Sequence, residues 1–405
     1  MRLTMNERKG VTKALCERYR KATKKDKGRI LNEFVQDTGY DRCYARRLLR
    51  SHGKRVTVAA GVAVEGDARL TPKRTRPRTY GPEVLAPLKQ VWEMLDYPSG
   101  KRLVPALREV VPRLVAQKAL RIKKALQHQL VRVSAATADR LLKSERQKHQ
   151  LKGRSHTKPG TLLKHQVSIR TFADWDDARP GFLEIDLVGH EGGRAEGDHC
   201  YTLDITDVDS GWTELAAVQN KAEKWVFEAL KALRGRLPFP LLGIDSDNGS
   251  EFINHHLVRY CQEERLTFTR SRPYRKNDTC YVEQKNWSIV RRYVGYARYD
   301  TPEAQALLNE LYGLLSDYIN FFQPSLKLKE KVRDGAKVTR RYEEAKTPYR
   351  RLMESPHLTK TQTQRLQARY DALRLPDLYR DIRRLQKQLE RLGARTPKPT
   401  RDTAP

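Results

Sequence analysis

Three acidic residues, far apart in the chain, stand in contexts that could build a cation site. Asp186 lies in "FLEIDLV", Asp247 in "GIDSDNGSEF" and Glu283 in "YVEQKN". Residues 181–260 hold 14 acids against 7 Lys and Arg, a net of −7, in a chain whose formal net charge is +31. An acidic island inside a basic protein is what a cation-binding active site for a phosphate polymer needs. A solvated acidic surface would have the same composition, so spacing and position have to discriminate.

Position supports the site. In "FLEIDLV", alternation sends Glu184 and Asp186 to one face of a strand and Leu183, Ile185 and Leu187 to the other. An acid in a core strand is costly unless something pairs with it. The apolar run 241–245 reads as a buried parallel strand, and Asp247 falls just beyond it, at the carboxyl end where open α/β sheets place ligand sites. Asn248 and Gly249 then let the backbone turn away. Val282, Ile289, Val290 and Tyr293 form a helical stripe, with Glu283 near its start and Gln284, Trp287 and Arg291 on about the same surface.

The elements between these acids predict a layered α/β core. "GFLEIDLVGH", "HCYTLDITDVDSGW" and "TELAAVQN" read as three strands joined by short turns. A helix follows, with Trp225, Val226, Ala229, Leu230 and Leu233 on its stripe, and then strand, helix, strand, helix. Around this core the chain is helical and basic. Residues 1–53 read as a helix-turn-helix broken at Gly39, whose second helix exposes Arg42, Arg46, Arg47 and Arg50 toward a major groove. Residues 54–80 form a basic linker in which Lys73, Arg74, Arg76 and Arg78 accumulate between Pro72 and Pro77 and just beyond, suited to tracking DNA. A second helical DNA-binding region spans 81–148, with Ser134 as an N-cap and Ala138, Leu141 and Leu142 facing a core. Residues 330–395 read as a basic, mostly helical region and 396–405 as a disordered tail.

Composition narrows the partner to a polyanion. The chain has 405 residues, 80 Lys and Arg against 49 Asp and Glu, and a pI near 10.0. No apolar run of about 18 residues and no apolar leader at the amino terminus is present, so a membrane partner is not expected and a cytoplasmic, nucleoid-associated place is. Five scattered cysteines without a Cys-x-x-Cys pair suggest neither a zinc ribbon nor a disulfide framework.

"EID" at 184–186, "SDNGSEF" at 246–252 and "YVEQKN" at 281–286 resemble the three blocks of the DDE transposases of bacterial insertion sequences, which have a retroviral-integrase-type catalytic core. The 35 residues between Asp247 and Glu283 match that family's spacing. The resemblance covers about 165–325 and implies a ribonuclease H-like core with Asp186, Asp247 and Glu283 as catalytic residues and metal ligands. It implies two Mg²⁺ ions, with Mn²⁺ as a substitute, cleavage at transposon ends, and strand transfer of the 3′ hydroxyl into target DNA. Partners would be terminal inverted repeats, target DNA and further copies of the chain on paired ends. The sequence departs from retroviral members in carrying Trp287 and Val290 where they have lysines, which passes DNA contact to Lys285, Trp287, Arg291 and Arg292. Two other readings stay open: a ribonuclease H-like nuclease without strand transfer, and a transposase-derived DNA-binding regulator.

Overall fold

The amino-terminal helices begin where side chains cap them. Thr4 and Glu7 form a reciprocal capping box at the start of α1 (Met5–Lys21), Thr23 caps α2 (Lys24–Thr38), and Asp41 accepts from Cys43 N and Tyr44 N, 2.9 and 3.1 Å, to open α3 (Arg42–Ser51). The computed structural model describes residues 3–59, 62–65, 79–148, 179–194, 196–246, 255–270 and 280–395. It divides into two units, Met1–Thr79 and Tyr80–Pro405.

In the first unit, α2 ends because Gly39 adopts a left-handed conformation, φ 69, that a side chain would disfavour. Cys16, Tyr19, Ile30, Leu31, Phe34, Ala45 and Leu49 close one small core among the three helices. Arg42, Arg46, Arg47 and Arg50 are all exposed on α3. The segment expected as a linker holds a short antiparallel pair, β1 (Arg55–Ala59) and β2 (Val62–Glu65). Val56, Thr57, Val58, Val62 and Val64 account for it, since β-branched residues favour strands even in short runs. Lys73, Arg74, Arg76 and Arg78 lie outside the described residues.

The second unit is built on a five-stranded mixed sheet. Its strands are β3 (Phe182–Gly189), β4 (Tyr201–Asp207), β5 (Thr213–Val218), β6 (Gly243–Ser246) and β7 (Thr267–Arg270), in the order β5-β4-β3-β6-β7. β3, β4 and β5 run antiparallel, with residues 190–200 linking the first two and a short turn the last two, whereas β6 and β7 are parallel to β3 and are reached through helices α9 (Glu223–Arg234) and α10 (His255–Glu263). On α9, Val226, Leu230 and Leu233 are buried while Trp225 and Ala229 of the expected stripe are half-buried. The long α12 (Pro302–Phe322) covers edge strand β5. Asn309 and Asn320 each exchange hydrogen bonds with its backbone, at Ala217 and Thr213, so this edge cannot template another strand.

Helices α4 (Pro82–Met94), α5 (Gly100–Ala116), α6 (Lys124–Arg132), α7 (Ala135–Leu141) and α8 (Lys143–Lys148) fill the stretch expected as a second helical DNA-binding region. They belong to the second unit and contribute to its core. Trp92, Leu103, Leu107 and Val111 are buried with α12, and Tyr318 donates to Met94 O at 2.9 Å. The carboxyl-terminal α13 (Pro348–Glu354), α14 (Lys360–Ala372) and α15 (Leu375–Arg395) pack on the same core through Leu352, Leu366, Leu378, Ile382, Leu385 and Leu389. Residues 328–342 depart from the helical expectation and form a hairpin, β8 (Leu328–Asp334) with β9 (Lys337–Tyr342).

The turn between β4 and β5 is held by a buried carboxylate. Asp207 accepts from Gly181 N at 2.8 Å, Ser210 N at 2.7 Å and the Ser210 hydroxyl at 2.6 Å. Burial outweighs these donors and pushes its carboxyl up to about 6 from an ordinary value of 3.8. Asp207→Asn exchanges one acceptor oxygen for a donor that meets donors, so a stability loss of about 1–3 kcal/mol at pH 7 is expected. A raised acid contributes stability that is present below its unfolded pKa and fades as pH rises through the folded one. The gap between wild type and variant in urea unfolding should therefore widen as pH falls from 6 toward 4, and a gap that narrows would count against this account.

Candidate active site

Strand β3 and the helix after β7 are joined at two points. Glu184 and Asp186 point to the same face of β3, and the register sets Asp186 beside Asp204 on β4 and Glu184 beside Asp245 on β6. Helix α11 (Cys280–Lys285) starts over this face. Glu184 accepts from its first-turn amides, Tyr281 N at 2.8 Å and Val282 N at 2.9 Å, so a strand carboxylate serves as the cap of the helix. One turn on, Asn286 Nδ2 donates to Asp186 Oδ2 at 2.6 Å, and Asp186 Oδ1 takes the amide of Leu187 at 2.8 Å. Glu283 sits between the two joints, exposed, while Asp186 is half-buried.

Glu184, Asp204 and Asp245 are the buried acids of this face. Burial raises the Glu184 carboxyl to about 8, the backbone amides oppose this, and the negative charges of Asp245 and Glu283 add to it. Among the described residues, Glu184 Oε1 and Asp204 Oδ2 are buried without a hydrogen-bond partner. Asp245 accepts from the Thr269 hydroxyl at 2.6 Å, which fits a neighbour of the site. Burial also raises the Asp204 carboxyl and lowers the Lys285 ammonium, and the charge of each opposes the shift of the other.

The Lys285 ammonium donates to Gly211 O at 3.3 Å, in the β4–β5 turn. Arg292 is engaged too, donating to Asp96 O at 2.8 Å and pairing with the Asp96 carboxylate. Trp287 remains 67% exposed, and the Arg291 guanidinium lies 4.9 Å from the centre of the exposed Tyr296 ring. The helix continues from α11 as a π-helical turn, Asn286–Arg291. Sequence reading missed Asn286 and Asp204; the three-residue step from Glu283 to Asn286, about one helical turn, was the available signal for the first.

Asp247 follows Ser246, the last residue of β6, and lies outside the described residues, as do Asn248 and Gly249. Ser246 pairs with Ile185, the residue before Asp186. Among the described residues no group of three His, Cys, Asp or Glu is arranged to hold a metal ion. Asp186 and Glu283 nonetheless offer the hard oxygen donors that Mg²⁺ takes one or two at a time, beside buried oxygens that lack a donor. No helix of the described residues is long and apolar enough to cross a membrane.

The fold and site define a mixed α/β sheet with carboxylates gathered on one face beneath a helix that carries another. No protein-family model matches the chain. An uncharacterized protein of Sinorhizobium fredii (strain NBRC 101917 / NGR234), y4rM, is 41% identical over 341 residues, 84% of this chain and 93% of that protein. The chain belongs to the same family as y4rM. Among solved structures, the catalytic core domain of BIV integrase is 19% identical, covering 44% of this chain and 95% of that one, with a TM-score of 0.30. The HTLV-2 integrase catalytic core domain in complex with magnesium, in its dimeric form, is 15% identical over 36% of this chain and 89% of that one, with a TM-score of 0.27.

Proposed function

We propose that the chain is a DDE-type DNA transposase, cleaving at transposon ends and joining the freed 3′ hydroxyl to target DNA. The observation that carries this reading is the double joint: Glu184 caps the helix of Glu283, Asn286 holds Asp186, and the next strand ends one residue before Asp247. Asp186, Asp247 and Glu283 would hold two Mg²⁺ ions, or Mn²⁺ in their place. Bound there, such ions supply charge neutralisation at the phosphoryl oxygens and activation of an oxygen nucleophile.

The chain's own residues supply position. Glu184 fixes the start of the helix by accepting its first-turn amides. Asn286 sets the rotamer of Asp186. Trp287 is available to stack on a base and Arg291 to meet phosphate. The α3 arginines and the arm around Lys73, Arg74, Arg76 and Arg78 would recognise the ends, and copies of the chain would pair them. Asn286→Ala should lower Mg²⁺-dependent activity by about 10–100-fold, as loss of a bond to a metal ligand does, with part of the loss recovered at high Mg²⁺. A Mg²⁺ titration of product formation checks it, and an unchanged titration curve would remove Asn286 from the site.

The deciding experiment is a strand-transfer assay with transposon-end duplexes, target plasmid and Mg²⁺. Joined product supports the reading. Nicked DNA without joined product would point to a nuclease, and end binding without cleavage to a regulator.

A further inference from the structure

The β8–β9 hairpin has no explanation in packing. Every residue of both strands is exposed, the strands pair extensively only with each other, and Leu328, Val332, Val338 and Tyr342 are left on the surface. An isolated two-stranded hairpin is marginal in water, so evolution has no stability reason to keep this one standing clear of the core.

Its two faces differ in charge. One carries Glu330, Val332 and Asp334 opposite Arg341, Thr339 and Lys337, so acids answer bases; Glu330 and Arg341 are 3.3 Å apart. The other carries Lys331 directly opposite Arg340, and Arg333 opposite Val338. Like charges in opposed positions destabilise a hairpin unless an anion lies over them. Charge at strand edges also deters aggregation, but that protection does not call for cations facing each other across the ladder.

The root is fixed. Ser325 bridges to Lys346, Arg351 donates to Ser325 O and Oγ at 2.8 Å each and to Ser210 O at 3.2 Å, and Lys327 donates to Asp209 O at 2.8 Å. This is the β4–β5 turn whose Gly211 carbonyl receives Lys285 from the helix of Glu283. The arm is thus held by the sheet that carries Asp186.

We infer that the hairpin is a duplex-DNA-binding arm, laying the Lys331, Arg333 and Arg340 face against phosphates as a β-ribbon in the major groove. That groove, about 12 Å wide, admits a two-stranded ribbon, whereas the deep, narrow major groove of duplex RNA does not. The inference rests on the DNA reading above and adds a binding surface to it. In the full chain, Lys331→Ala, Arg333→Ala and Arg340→Ala together should weaken binding to a duplex of unrelated sequence, measured by fluorescence anisotropy across a salt series. The slope of log affinity against log salt should flatten by about 0.9 for each phosphate that is no longer neutralised. The melting temperature should hold, since no core residue changes, and Lys337→Ala with Arg341→Ala on the other face should flatten the slope less. An unchanged slope in the triple variant, equal weakening toward duplex RNA, or weakening confined to anionic vesicles would overturn the inference. If wild type joins ends to target and the triple variant binds as wild type does, the arm alone is refuted. Wild type that neither binds duplex nor yields joined product refutes both.

Discussion

Asp186→Asn should cut joined product by roughly 10³-fold and leave the fold nearly untouched. The carboxylate is proposed to face bound cations, and losing several kcal/mol of transition-state charge stabilisation corresponds to about that factor in rate. Structural cost should be small because the replacement is close in shape. Its amide oxygen can keep the bond from Leu187 N, and its new NH₂ group can meet Asn286, whose Oδ1 has no partner among the described residues and can be presented by turning the amide over. Thermal melting and duplex affinity should therefore stay near wild type while catalysis falls, and Asp247→Asn should behave alike. Joining at the wild-type rate in either variant would sink the assignment. A collapse of melting temperature with Asp186→Asn would show that the carboxylate serves the fold.

Phe34→Ala should unfold the first unit selectively. The ring is fully buried in a core that has seven buried hydrophobic side chains among the described residues, and truncating a buried Phe costs about 3–5 kcal/mol. A unit of this size has little stability to spare, because domains are stable by only about 5–15 kcal/mol and small ones lie toward the bottom of that range. Tyr80–Pro405 has its own core and should keep it. Calorimetry should show one transition lowered or abolished and another retained, and preference for transposon ends over unrelated duplex should go with the first. A single unshifted transition would contradict the division into two units, and retained end preference with the first unit unfolded would move recognition away from α3.

Much of the secondary structure was legible because local rules dominate it. Gly39 breaks α2, Ser134 caps α7 by accepting from Thr137 N, and the spacing of Leu378, Ile382, Leu385 and Leu389 marks the buried face of α15. The same spacing left open whether that face packs on the core or on another subunit; in the structure α15 packs against α12. Alternation in "FLEIDLV" placed Glu184 and Asp186 on one face, and the register with β4 and β6 agrees. The hairpin at 328–342 escaped notice because its strands are charged and exposed, so no buried face leaves an alternating apolar signature.

Residue type and order along the chain were enough to mark where strands and helices alternate, and to raise the proposals that three acids share a site and that the partner is a polyanion. Only the folded chain decided that Asn286 reaches Asp186 across 100 residues, that Glu184 serves as a helix cap, that Lys285 donates to the Gly211 carbonyl, and that Arg292 is taken up by Asp96. The reason is physical. Periodicity and capping act over a few residues, whereas the direction of a long polar side chain is set by which buried charge or carbonyl the rest of the fold brings within its reach.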